Sequence, residues 1–203
     1  MDTIITIGRQ YGSGGKEIGK ALSEELGIPF YDEEIVKMVS ESDDMHPDTV
    51  KNAEEKVANS LLYSLMAGGG LRGVSDAMHY QMPINDKVYI SQSKAIKELS
   101  KKGPCVFVGR CADYVLEEEN IFRVFVYSDM EHKIERISKL YELDKQKAKE
   151  KIIKTEKSRK TYYNYYTDKV WGDPASYDLC INTGKTGIQG AVEIIKSYIN
   201  LKG

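Results

Sequence analysis

The chain of 203 residues is poor in the residue types that mark metal, redox and membrane chemistry. It has three cysteines, Cys105, Cys111 and Cys180, and no Cys-x-x-Cys pair. An odd number without that spacing argues against a disulfide framework or a structural zinc site and points to a reducing cytosol. Cys105 and Cys180 lie in apolar runs and read as small core residues. The three histidines, His46, His79 and His132, show no ligand-like spacing and no nucleophile partner, so neither a histidine metal site nor a triad is expected. No apolar run approaches the roughly 18–20 residues of a membrane span. Polar Arg9 and Gln10 interrupt the N-terminal apolar run, so a secretory leader is not expected either. With 29 basic and 31 acidic residues the formal net charge is −2, which gives no global attraction to nucleic acid or to an anionic membrane. There is no internal repeat and no low-complexity segment.

What remains is a soluble α/β pattern, with short β-rich runs alternating with helix-period segments, as in a three-layer domain with a mainly parallel sheet. "DTIITIG" predicts the first strand, and Ile18, Ala21, Leu22 and Leu26 set a helical stripe over 14–26 that Gly27 ends. "IPFYD" predicts a second strand closing at Asp32. Residues 38–86 read as helices and loops outside the sheet, with a helical "TVKNAEEKVANSLLYSLM" and a break at "AGGGLRG". Then come the helix "DKVYISQSKAIKELSKKG" and the strands "PCVFVG", "IFRVFVYS" and "YDLCINT". A Lys-rich helical stretch over 131–166 separates the last two strands, and a terminal helix carries Ile188, Val192, Ile195 and Ile199 on one face.

The chemistry starts in "ITIGRQYGSGGKEIGKAL". A strand, a glycine-rich turn and a helix start aim unpartnered N–H groups at one spot, which attracts anions. The glycines allow close backbone approach at positive φ.

Strand, loop and helix align without a gap to the start of bacterial cytidylate kinases, among the P-loop nucleoside monophosphate kinases, and most resemble the cytidylate kinase-like branch. The resemblance continues in "IPFYD", "GPCVFVGRCADYVL", "KTEKSRKTYYNYY" and "YDLCINT", and is patchy over 38–86. It implies a P-loop NTPase fold forming a single domain: a core over 1–37, 87–143 and 173–203, a helical acceptor-binding insert over 38–86 and a lid over 144–172. It also implies phosphoryl transfer from ATP, with Mg²⁺, to a nucleoside monophosphate, most simply CMP or dCMP. A kinase for another small acceptor and a non-catalytic nucleotide- or phosphate-binding regulator stay open.

Carried over residue by residue, the resemblance makes Gly8, Tyr11, Gly12, Ser13, Gly14, Gly15, Lys16 and Glu17 the nucleotide-binding loop. Gly12, Ser13 and Gly14 match the family's Gly-x-Gly. The family's lysine falls on Gly15, so Lys16 is displaced by one, and Glu17 stands in place of the hydroxyl residue that ligates Mg²⁺. The catalytic cation is then Lys16, whose long stem can return its charge to the phosphates, or Arg9 at the loop entrance. Glu17 is expected to point away, to solvent or to a basic side chain such as Lys20 or Arg9.

Asp32, at the carboxyl end of the second strand, is expected near the acceptor or the metal, or as a helix N-cap. Arg110 has the planar fork suited to a monophosphate; the alternative is an ion pair with Asp113 or another nearby carboxylate. Cys111 stands where the family is acidic, and Asp113 is the candidate to replace that residue in acceptor binding. Arg159 maps onto a lid arginine and Lys157 is a second lid cation, of the kind that neutralises charge on a transferring phosphoryl group. Lys154 and Lys160 complete this run, which would otherwise be a solvated basic face. Tyr162, Tyr163, Tyr165 and Tyr166 pack the lid or stack on a base. Trp171, the single tryptophan, covers the adenine or packs the lid hinge. Basic residues interleaved with aromatics also suit single-stranded nucleic acid, against which the acidic balance weighs. Small nucleotides are the expected partners, with no membrane and a cytoplasmic location.

Overall fold

A computed structural model describes residues 3–51 and 84–202. Five strands form one parallel sheet: β1 (Ile4–Arg9), β2 (Phe30–Tyr31), β3 (Val106–Val108), β4 (Ile121–Tyr127) and β5 (Leu179–Asn182), in the order β2-β3-β1-β4-β5. The all-parallel arrangement requires a crossover between strands, and helices supply it. They are α1 (Gly15–Leu26), α2 (Glu33–Ser42), α3 (Pro47–Lys51), α4 (Ile84–Ser100), α5 (Ala112–Val115), α6 (Met130–Tyr141), α7 (Lys145–Tyr166) and α8 (Thr183–Lys202). Each expected strand is present, with its ends within two residues of the expected ones.

Strand alternation splits the core in two. Ile5, Ile7, Val106, Val124 and Val126 face α1 and α8, where Ile18, Leu22, Val192, Ile195 and Ile199 meet them. Phe107, Tyr31 and Ile121 face the other way, against Ile35, Val39, Val88, Ile96, Leu99, Tyr162 and Tyr163. Central strands buried on both faces explain why "CVFV" and "VFV" are continuously apolar.

The expected single helical stretch over 131–166 is two helices. Glu142 takes a left-handed conformation (φ 53°) that ends α6, and the Asp144 carboxylate accepts the Lys147 N–H to start α7. The Asp129 carboxylate caps α6 in the same way. A small cluster of Ile137, Ala148 and Ile152 glues the two helices together. Gly187 (φ 68°) breaks α8 near its start, so the regular terminal helix follows it and carries the predicted apolar face from Ile188 on. Cys105 is buried, as expected, but Cys180 is only half-buried. Most of the expected insert, with its helix, its glycine break and His79, lies outside the described residues. The parts of 38–86 that are described are helices and a connecting turn, and they lie off the sheet.

Candidate active site

β1 lies between β3 and β4 while the chain crosses it to reach either side. Ligands of open parallel sheets bind at such a switch point, outside the strands' carboxyl ends. The turns after β1, β2 and β3 all emerge there.

After Arg9 the Gln10 N–H still donates to the Val126 carbonyl (2.9 Å), so the loop leaves the sheet only at Tyr11. Gly12 and Gly14 then adopt φ of 83° and 82°, and Gly14 starts α1 with no side-chain cap. The first N–H groups of α1 have no intrahelical acceptors and lie at the positive end of the helix dipole, which favours an anion at the loop. Ser13 is buried. Its hydroxyl lies 2.9 Å from the Gln10 carbonyl and 3.1 Å from that of Val126, and its own carbonyl accepts the Thr183 hydroxyl at 2.8 Å. Ser13 is therefore a strut that fixes the loop to β4 through its hydroxyl and to the start of α8 through its carbonyl. Gly8 and Arg9 share a small cavity of about 20 Å³ with Arg110 and Asp113 behind the loop.

Lys16 is half exposed and turned towards β2. Its ammonium stands 3.0 Å from Asp32 and 3.0 Å from Glu33. Burial works against its charge, but hydrogen bonds to Glu33 and Asp32 outweigh this and raise its pKa. Glu17 engages a basic side chain beside the loop. Its partner is a cation distant in sequence, Arg136 of α6 at 2.5 Å, rather than Lys20 or Arg9.

Asp32 occupies the N-cap position of α2 but makes no cap hydrogen bond. Its carboxylate instead bridges Lys16 and Arg110, whose Nη2 is 3.2 Å away. Burial pushes the Asp32 carboxyl up, yet Arg110 and Lys16 together overcome that and hold it below the usual range. The carboxylate that pairs with Arg110 is thus Asp32. Gly109, Arg110 and Cys111 take successive φ of 73°, 59° and 54°. Two non-glycine residues in this region store strain of about 1–3 kcal/mol each, a feature that clusters at functional sites. Gly109 suits its positive φ, and an added Cβ there would lie 1.9 Å from Nη1 of Arg9 and displace that guanidinium.

Asp113 lines the same small cavity as Arg110 but is buried against Tyr163. Its carboxylate accepts the Tyr163 hydroxyl at 2.6 Å, and burial raises its pKa. Trp171 packs edge-on against Phe125 (ring centroids 5.5 Å apart) and against the core cluster that holds Tyr162 and Tyr163. Tyr162 and Tyr163 are buried, Tyr166 stacks on Tyr89 of α4 (4.2 Å), and Tyr165 is exposed.

A cleft of about 430 Å³ opens over the loop, lined by Tyr11, Gly12, Gly14, Gly15, Lys16, Glu17, Asp32, Arg9, Arg110 and Arg159. The Arg159 guanidinium lies over the Tyr11 ring, 5.2 Å from its centroid. Lys157 is not brought here; it is exposed elsewhere on α7, and so are Lys154 and Lys160. Three cations unnoticed in the sequence also line the cleft: Lys51, Arg136 and Lys151. Lys151 and Arg159 are eight residues apart on one helical face, a spacing that marks them better than the dense 154–160 run does. A second cavity of about 570 Å³ adjoins Gly12 and Ser13 on their other side, between α6 and the Thr183–Ile188 turn.

The family profile described as "Cytidylate kinase-like family" matches residues 4–185. The chain belongs to the cytidylate kinase-like family. A cytidylate kinase of Methanocaldococcus jannaschii is 35% identical over 109 residues, 52% of this chain and 61% of that one. The cytidylate kinase of Archaeoglobus fulgidus is 26% identical over 204 residues, covering 98% of this chain and 95% of its own. The alignment thus spans less than two thirds of the Methanocaldococcus relative. Among solved structures, an uncharacterized protein of Eubacterium ventriosum superposes with a TM-score of 0.71 at 28% identity, covering 98% of each chain. A shikimate kinase of Bacteroides thetaiotaomicron superposes at 0.54 with 14% identity, again covering 98% of each, a likeness of fold alone. The architecture is the parallel α/β fold of the P-loop kinases.

Proposed function

We propose that this family member transfers the γ-phosphoryl group of ATP to a nucleoside monophosphate, CMP or dCMP, in the cytoplasm. The observation that carries the reading is the convergence of an anion-ready loop, the Asp32–Arg110 pair and a ring of cations in one cleft. The names of its archaeal relatives support the acceptor class. Among the described residues no helix is long and apolar enough to cross a membrane.

In this reading the loop N–H groups hold the donor phosphates. The cavity between α6 and the Thr183–Ile188 turn takes the donor's base and ribose, since it is the adjoining space of suitable size. Arg110, at the carboxyl end of β3, holds the acceptor phosphate with its planar fork. Lys16, Arg9, Arg136, Lys151 and Arg159 neutralise charge that develops on the transferring group, the main work required in phosphoryl transfer. The 38–86 segment serves the acceptor, and 144–172 acts as the lid that excludes water.

The site suits Mg²⁺ shared with substrate. No group of three candidate metal ligands occurs among the described residues, and Asp32 offers one ionised carboxylate beside the loop. Mg²⁺ commonly binds through one or two carboxylates plus substrate phosphates, and there it would screen phosphate charge. Glu17 lines the same cleft but is engaged by Arg136.

The second reading, a nucleotide-binding regulator without turnover, draws on the Lys16 ammonium being engaged by Asp32 and Glu33. A coupled assay of ADP release over a panel of nucleoside monophosphates decides between them. Turnover with CMP or dCMP, cut roughly 10²-fold by Lys16→Met and much less by Arg9→Met, is expected. ATP binding by calorimetry with no ADP release for any acceptor would leave the regulator.

A further inference from the structure

Beneath the loop lies a charged group that no step above uses. Lys133 of α6 is only 4% exposed. Its ammonium reaches Glu156 of α7 at 2.8 Å and the Gln10 side-chain oxygen at 3.1 Å. Gln10 precedes the glycine turn, and the same oxygen accepts the Ser128 N–H at 3.2 Å. The stem of Lys133 also supports the turn from below, with its Cβ 3.3 Å from where a Cβ on Gly12 would lie. One ammonium therefore joins the loop, the start of α6 and the middle of α7.

A buried Lys–Glu pair is a poor source of stability, because desolvating two charges offsets most of their attraction. The two helices already have apolar glue in Ile137, Ala148 and Ile152, and each has its own aspartate cap. What the pair adds is register. Glu156 and Arg159 are one helical turn apart on the same face. Fixing Glu156 against Lys133 fixes the rotation of α7 that lays Arg159 over Tyr11.

We propose that Lys133 and Glu156 are a positioning pair that locks α7 to the phosphate loop, so that Arg159 is held over the donor phosphates. Neither residue touches substrate; both act through Arg159 and Gln10. The proposal rests on the kinase reading for its consequence in turnover, but not for its geometry.

The test is a double-mutant cycle on the full chain, with ADP release and thermal unfolding measured together. Glu156→Gln should lower kcat roughly 10–100-fold, the cost of about 1 Å of misplacement, with KM for both substrates within about twofold. In an Arg159→Ala background the same change should cost less than about twofold, because the group it positions is gone. Glu156→Asp, which keeps the charge, should recover part of the rate. Losses that multiply across the two backgrounds, or that simply track a lowered melting temperature, would make the pair structural and overturn the proposal. Amide hydrogen exchange gives a readout independent of turnover. Glu156→Gln should speed exchange at residues 10–14 as well as in α7, and an unchanged loop would refute the coupling. Were the wild type to release no ADP, the kinase reading would fail alone, and the exchange data would still decide the positioning.

Discussion

Removing the Asp32 carboxylate tests the electrostatic core of the cleft, because two cations lean on it. Asp32→Ala breaks its pair with Arg110, whose side chain is 7% exposed, and its pair with Lys16, whose side chain is 53% exposed. The Lys16 half is screened by solvent and contributes about 0–1 kcal/mol. Breaking a buried pair by deleting one partner costs about 3–5 kcal/mol. Asp32 itself keeps 17% exposure, which places the loss at the lower end, about 3 kcal/mol. For a chain of this size that lowers Tm by roughly 6–12 °C.

The pH dependence gives the sharper check. The folded pKa of Asp32 is depressed by Arg110 and Lys16 in excess of the opposing burial. Its stabilisation is therefore complete above the ordinary carboxylate value of about 4, and is lost as pH falls through the lower, folded value. Melting curves of wild type and Asp32→Ala, followed by circular dichroism, should differ fully at pH 7 and converge in acid. A gap below about 1 kcal/mol at pH 7, or one that persists unchanged in acid, would refute the account of a carboxylate held between two cations.

Gly12→Ala forces a Cβ onto φ 83° against Ile137 and Lys133, so urea unfolding should show a loss of about 1–3 kcal/mol, and phosphate should no longer raise Tm. Asp113 has the opposite sign from Asp32. Burial raises its folded pKa, so wild-type stability falls as pH rises from about 4 through that raised value, and Asp113→Asn should remove this slope in urea midpoints measured across pH. Glu33→Gln deletes a partner of Lys16 that is 74% exposed, and its urea midpoint should correspond to a change within about 0.5 kcal/mol of wild type.

The sequence by itself determined the frame. Period-2 and continuous apolar runs identified the strands, the stripe of Ile18 and Leu22 identified α1, and Gly27 marked its end, because these follow from local backbone preferences and from which side chains must leave water. The glycine cluster after β1 also declared a place where backbone comes close to a ligand, since only glycine adopts φ near 83° at little cost. The break at Glu142 was not legible, because nothing in the apolar period requires a left-handed residue there, and only the Asp144 cap hints at it.

Which charges meet was decided by tertiary structure alone. Lys16 and Asp32 come together because the start of α1 and the end of β2 both lie at the carboxyl ends of the strands, and Glu17 finds Arg136 only once α6 packs beside the loop. The basic run from 154 to 160 looked uniform, yet the helical turn sends Arg159 into the cleft and Lys157 to solvent. Long charged side chains are adaptable and carry almost no local conformational signature, so their partners are fixed by the packing of the elements that bear them.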